Sequence, residues 1–376
     1  MGIFKNKPIL YTTFVATAST IGILVKELQT IESLNTEFKH PFIYCLTLHL
    51  SEFTGLFTYY LIYKKEDIEE IRMSQLNSKV KKLQMETHLI SIPAIFEFLS
   101  AVVGNLSYVN LSASISTMFD GGNTIGVFLL SIFFLKNKHN KYNFIGVGLL
   151  LLGLFFLSLS AIKDDSPESD LFETIVGIIC CLLCNVFSSF HSIAEEYLLK
   201  TRFCHPIKLI GFEGLFGIIF SIFFILVFDN VKCPKSIESI CIKDDKGGLF
   251  LENLNMAYRQ ISDKKIIFLI IFVQFLVYVL YNYSYIIITD VANAATNVVL
   301  YNLNAVFVWI FFLLPIDKDN QETIDILQII GFIVLTLGVF IYNEIIVWDK
   351  ESNVKDKNIK KNNNLLDSEL IDEPVD

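Results

Sequence analysis

The chain has 376 residues, 53% of them hydrophobic and only 18% charged, with a mean hydropathy of +0.53. A soluble domain carries about a quarter charged residues, so this composition excludes most soluble enzyme classes, and a formal net charge of −9 argues against a nucleic-acid partner. The apolar residues fall in blocks of about 20, the length a helix needs to cross roughly 30 Å of hydrocarbon.

Ten such blocks run along the chain: 8–26, 41–63, 89–109, 113–135, 142–162, 174–199, 206–228, 266–288, 291–314 and 324–346. None carries Lys or Arg except at its ends. Lipid offers no partner to loose backbone groups, so all ten are predicted helices. The first block is read as a retained span, because no small-x-small cleavage site followed by a polar mature chain appears after it. The polar, Asn/Lys/Asp-rich segment 347–376 is predicted to be a disordered tail.

Ten spans place both termini on one side, and the placement of Lys and Arg makes that side the cytosol. Lys5, Lys7, six basic residues between 64 and 82, Lys136, Lys138, Lys141, Lys200, Arg202 and five lysines from 350 to 361 share it. Lys39, Lys163 and Lys318 face the other way, with seven basic residues in the long 229–265 loop, where charge steers topology less. That loop holds Cys233 and Cys241, which in a lumenal compartment are either a disulfide or two free thiols. Cys45, Cys180, Cys181, Cys184 and Cys204 are expected to pack as small apolar residues.

The chain repeats itself. Asn105-Leu-Ser-Tyr108 returns as Asn282-Tyr-Ser-Tyr285, Ile132-Phe-Phe-Leu135 as Ile310-Phe-Phe-Leu313, and Gly146 with Gly153 as Gly331 with Gly338. Each half, 1–162 and 163–346, then holds five helices, and an odd number inverts the second half relative to the first. The expected architecture is an all-α membrane protein of two inverted five-helix repeats, a recurrent design of secondary transporters. The paired glycines, and Gly211, Gly214 and Gly217, are expected to pack against neighbouring helices or a second subunit, which makes spans 5 and 10 a candidate homodimer contact. Gly121-Gly122 differ: adjacent glycines within a span loosen a helix where a gate could bend.

Ionisable groups within spans are functional candidates by default. Here they are His49 and Glu52, Glu97, Asp120, His191 with Glu195 and Glu196, Glu213, Asp290 and Glu344. Glu196, Asp290 and Glu344 sit near span ends, where they reach the headgroups equally well. Glu97 and Asp120 have more than a turn of apolar sequence on both sides and no basic partner in the spans, so they are candidates for binding a proton or a cationic solute. Asn297 is the repeat partner of Asp120, and Asn123, Asn302 and Asn304 add amides in spans 4 and 9. Glu52, Glu97, Asp120, Asn123, Glu213, Asn297 and Asn304 form the predicted substrate or proton site. Asn105, Tyr108, Asn282 and Tyr285 lie under the tight 3–4 and 8–9 turns and are either gating contacts or helix caps with interfacial rings. His191 and Glu195 share a helix face, but such pairs are usually structural, and neither a metal nor a cofactor is expected.

The five-plus-five pattern with tight 3–4 and 8–9 turns resembles the drug/metabolite transporter superfamily, which includes the nucleotide-sugar transporters. More narrowly, the chain resembles the F branch of solute carrier family 35. The features are Phe38-Lys-His-Pro-Phe42, Glu52-Phe53, Glu195-Glu196, His205-Pro206, Gly211-Phe-Glu-Gly-Leu-Phe-Gly217 and Tyr342-Asn343. The resemblance spans roughly 10–346 and implies a fold and a transport role more firmly than a cargo. One departure matters: Met118-Phe-Asp-Gly-Gly122 puts Asp120 where the related pattern has a basic residue. A nucleotide diphosphate wants Arg or Lys clamps, and an acid-lined cavity repels it.

The expected function is therefore alternating-access transport of a small organic solute across an endomembrane. Two other readings stand beside it, a nucleotide-sugar/nucleotide antiporter and a non-transporting membrane scaffold. An enzyme is not expected, since no Gly-x-Gly-Asp, His-Glu-x-x-His or Gly-x-Ser-x-Gly pattern is present. Asp367-Ser-Glu-Leu-Ile371 resembles an acidic dileucine signal and suits a Golgi or endolysosomal membrane.

Overall fold

The structure is a computed structural model. It describes residues 7–65, 67–68, 83–135, 140–163, 171–229, 231–233, 240–243, 248–291, 294–314, 322, 325–343 and 345–346. Glu344, the tail 347–376 and most of the basic 64–82 segment lie outside these residues.

The described chain is helical in the order its apolar blocks predict. The helices are α1 (Lys7–Thr30), α2 (Pro41–Thr58), α3 (Ser91–Asn110), α4 (Ala113–Phe119 and Asn123–Leu130 around a tighter turn, Asp120–Gly122), α5 (Lys141–Lys163) and α6 (Leu171–Thr201). They continue as α7 (Pro206–Phe228), α8 (Lys265–Val291), α9 (Ala294–Leu313) and α10 (Ile326–Tyr342). Among the described residues seven of them, α1 and α3 to α8, are long and apolar enough to cross a membrane. α2 is diluted by His49 and Glu52, whereas the apolar stretches Val299–Leu313 of α9 and Ile326–Tyr342 of α10 are shorter. The molecule is thus an all-α, multi-pass membrane protein.

Local chemistry sets the ends. Pro41 opens α2 and Pro206 opens α7, positions where a missing N–H costs nothing. His205 Nδ1 accepts the Ile207 N–H at 3.2 Å, and Asp325 Oδ2 accepts the Gln328 N–H at 3.3 Å to cap α10. The α3–α4 turn consists of Leu111 and Ser112 alone, with the Ser112 hydroxyl capping α4. Within α4, the turn at Gly121 and Gly122 is where Leu335, Asn302 and Asn185 press in, space that side chains would fill.

Helix pairing follows the small residues. α7 lies against α2 along Gly211, Gly214 and Gly217, and α5 lies against α10 along Gly146, Gly153, Gly331 and Gly338. Of the two partners expected for the glycines of spans 5 and 10, a neighbouring helix or a second subunit, the structure shows the neighbouring helix. Elsewhere α3 packs on α6, and α1 on α8 and α9.

Beyond the helices, a short helix, Leu254–Asp263, folds over the α1–α2 end. A disulfide joins Cys233 to Cys241 in the same loop. His40 is fully buried beneath it, with Nδ1 2.5 Å from Glu252 Oε1 and Nε2 2.9 Å from Gln260 Oε1.

Candidate functional site

One cavity opens between α1, α3, α4, α6, α7, α8 and α9, and its wall is acidic. Glu97 of α3, Asp120 of α4, Glu195 of α6 and Glu213 of α7 all line it, and no Lys or Arg does so among the described residues. The sequence assigned Asp120 and Glu97 to one site; the structure sets them in two different surroundings.

Asp120 lies at the α4 break beside Tyr301. Around it the wall is aromatic. Phe14 stacks on Tyr281 with ring centroids 5.2 Å apart, and Tyr285 and Tyr301 each lie 6.3 Å from Phe14. All four rings line the cavity, as does Tyr108. Electron-rich ring faces beside a carboxylate suit an organic cation.

Glu97 belongs to a second group, formed where α2, α3, α6 and α7 meet. His49, Glu52 and Glu97 bring ligand-capable atoms within 4.8 Å of one another, and so do Glu97, His191 and Glu213. His49 Nδ1 lies 3.0 Å from Glu52 Oε2 and 3.9 Å from Glu97 Oε2, and His191 Nε2 lies 3.6 Å from Glu195 Oε1. The Gly-x-x-Gly-x-x-Gly run of α7 explains how they fit. Gly214 and Gly217 let α7 settle on Glu52 and the His49 ring, which turns Glu213 between them toward the cavity.

The predicted residues separate accordingly. Glu97, Asp120, Asn123, Glu213 and Asn297 line the cavity. So do Asn105, Tyr108, Asn282 and Tyr285, the predicted gating set. Several of these also hold helices together. Asn297 donates to Tyr285 O at 3.0 Å and to Thr289 Oγ1 at 2.5 Å, tying α9 to the end of α8. Asn282 donates to Ser51 Oγ at 3.0 Å, and Asn123 to Ser188 Oγ at 3.2 Å. Asn105 donates to its own helix at Ala101 O and accepts from Gln29 through its backbone carbonyl.

Two of the predicted residues do not line the cavity. Glu52 is fully buried and sits behind Glu97 rather than on the wall. Asn304 is buried on a part of α9 that does not line the cavity. The sequence reading also left His49, His191 and Glu195 out of the site. Their i,i+3 and i,i+4 spacing signalled two His–Glu pairs, but nothing in the sequence joined pairs on separate helices. Lys26 is a further omission, since α1 continues past the predicted end of span 1. Its ammonium donates to Tyr108 O at 2.7 Å and Leu111 O at 3.0 Å, capping the end of α3 rather than pairing with a carboxylate.

The geometry can now be set beside known proteins. Solute carrier family 35 member F6 of Rattus norvegicus is 27% identical over 309 residues, 81% of this chain and 78% of that protein. The Homo sapiens protein of the same name is 27% identical over 311 residues, with the same shares covered. A solved crystal structure superposes with a TM-score of 0.54 over 90% of this chain and 97% of its own, at 11% identity, which speaks to the fold alone. The profile of Solute carrier family 35 (SLC35F) matches residues 20–259. With more than half of its length matched in this way, the chain belongs to solute carrier family 35, a family of membrane transporters.

Proposed function

We propose that this solute carrier moves a small organic cation across an endomembrane by alternating access of two inverted five-helix repeats, 1–162 and 163–346, with both termini cytosolic. The repeat reading draws support from helix pairing. Helices five apart in the chain pack together, α2 with α7, α4 with α9 and α5 with α10. α1 lies on α8 and α9 as α6 lies on α3 and α4, the exchange that a two-fold axis in the membrane plane produces.

The observation that carries the cargo class is the cavity wall, with Asp120 among aromatic rings and no Lys or Arg among the described lining residues. A nucleotide diphosphate brings about two negative charges into that wall and meets no clamp. An amine or quaternary ammonium meets a carboxylate and ring faces.

The test is thermal stability of the purified full chain against two panels, cationic metabolites and nucleotide sugars. A ligand at about 100 times its Kd adds roughly 2.7 kcal/mol to the folded state. A cation is expected to stabilise the wild type, and Asp120→Asn to lose the shift. Stabilisation by a nucleotide sugar instead would overturn the reading.

A further inference from the structure

The cluster behind the cavity holds more polar atoms than partners. His191 Nε2, Glu97 Oε2, Glu213 Oε1 and both carboxylate oxygens of Glu195 are buried without a hydrogen bond of ordinary geometry among the described residues, although Glu195 lies against Tyr285 and Glu213, and Glu97 against Glu52. His191, Glu195 and Glu213 are 7%, 0% and 1% exposed, so the group is set back from the surface. Four carboxylates meet two imidazoles here, and no Lys or Arg pairs with any of them among the described residues. Buried groups left in that state are costly, and Glu97, His191 and Glu213 hold their ligand-capable atoms close enough together for one cation to satisfy all three.

We propose that Glu97, His191 and Glu213, with Glu195 beside them, bind one divalent transition-metal cation of the Zn2+ or Mn2+ class. The donor set fits. Zn2+ sits about 2.0–2.2 Å from imidazole nitrogen and carboxylate oxygen, which puts neighbouring ligand atoms about 3.4 Å apart in a tetrahedron. Glu97, His191 and Glu213 already bring one such atom each within 4.8 Å of the others, and Glu195 Oε1 is 3.6 Å from His191 Nε2. Small side-chain rotations close the remaining gap. Glu97 and Glu213, both ionised, balance a 2+ charge, and the imidazole selects against Mg2+ and Ca2+, which prefer all-oxygen shells.

The surroundings have the form of a support for such a site. His49 is held against Glu52 at 3.0 Å and faces Glu97, the arrangement by which outer groups orient a metal-binding carboxylate. His191 stacks on Tyr285 with the rings 11° from parallel and 6.0 Å apart, which fixes the imidazole plane. The site faces the cavity, so an ion has a route in. The sequence expectation of no metal rested on the His191–Glu195 pair alone, without Glu97 and Glu213 from the other two helices. The site stands whether the ion is cargo, co-ion or a structural resident, and it does not depend on the organic solute proposed above.

The full chain, purified in detergent and stripped with a chelator, would be titrated calorimetrically with ZnCl2 and MnCl2 and spectroscopically with CoCl2. No organic solute is present, so the outcome is separate from that of the ligand panels. One equivalent of metal is expected, with a Co2+ spectrum of nitrogen and oxygen ligands. His191→Asn and Glu213→Gln should each weaken binding at least tenfold, while His88→Ala, at an exposed histidine, and the triple change of Cys180, Cys181 and Cys184 to Ser leave it unchanged. Gel filtration checks that each variant is folded, and the wild-type Co2+ spectrum decides the matter if one is not. Absence of binding, binding retained in both ligand variants, or a thiolate-type Co2+ spectrum would overturn the proposal.

Discussion

At the α1–α2 end, His40 has Glu252 against one ring nitrogen and Gln260 against the other, at 2.5 and 2.9 Å. Gln260 in turn donates to Thr36 Oγ1 at 2.9 Å and Ser33 O at 3.3 Å, and Glu252 Oε1 also accepts the Asn253 N–H. Of the buried polar side-chain atoms in this clasp, Glu252 Oε2 is left over among the described residues. Where α2, α3, α6 and α7 meet, the same residue types are set out differently. Among the described residues, His49 and His191 each leave Nε2 without a hydrogen bond of ordinary geometry, and Glu52, Glu97, Glu195 and Glu213 each leave at least one oxygen so. Histidine and glutamate thus serve two ends in one chain. The clasp spends its polar atoms on internal bonds and stitches the loop helix to the α1–α2 connection. The cluster keeps its polar atoms open at a cavity wall, where low dielectric makes them both costly and strong.

The largest expected effect breaks the clasp. His40→Ala leaves Glu252 and the Gln260 carbonyl facing each other with nothing between, and removing one member of a buried pair costs on the order of 3–5 kcal/mol. His191→Asn removes a ring whose Nε2 has no hydrogen-bond partner among the described residues and should stay within about 1 kcal/mol of the wild type. Thermal unfolding of both variants in one detergent checks this, and equal losses would erase the distinction.

A second, intermediate effect tests what holds the cluster open. A Cβ at Gly217 would meet the His49 ring, so Gly217→Ala must push α7 and α2 apart or turn the ring. Overpacking of this kind costs about 1–3 kcal/mol, and metal affinity should fall with it because His49 no longer faces Glu97. Gly148 is the control: a Cβ there meets nothing within 4 Å, and Gly→Ala in a helix is favourable by up to about 1 kcal/mol. If the two alanines behave alike, the seam has no part in positioning the site.

These residues also show how far the sequence was legible. Helices were visible because hydrocarbon permits few alternatives to them, and even α2 was found although His49 and Glu52 dilute it. The paired glycines of spans 5 and 10 announced a close contact; whether it lay within the chain or between chains was invisible, because glycine spacing is identical in both cases. Asp120, Glu97 and Glu213 were found on chemical grounds, as charge at depth. The cluster was not, because its members come from four helices whose mutual rotation no local spacing encodes. Lys26 was left out for a related reason, as the composition that ends an apolar block does not end a helix.

The smallest effect separates an open polar group that serves a site from one that does not. Asn304 is fully buried, and neither its amide nitrogen nor its oxygen has a partner among the described residues. By that criterion alone it resembles Glu195. Yet it does not line the cavity. An unsatisfied buried amide costs about 1–3 kcal/mol, so Asn304→Leu, nearly equal in shape, should stabilise the chain by about 1 kcal/mol and leave metal and solute binding as they were. Glu213→Gln relieves a buried carboxylate and should also hold or raise stability, but at the expense of metal binding. Both variants therefore gain or keep stability, and only one loses a ligand. A lost ligand in Asn304→Leu would mean that openness by itself marks the site, and that the cavity wall extends along α9 past Tyr301.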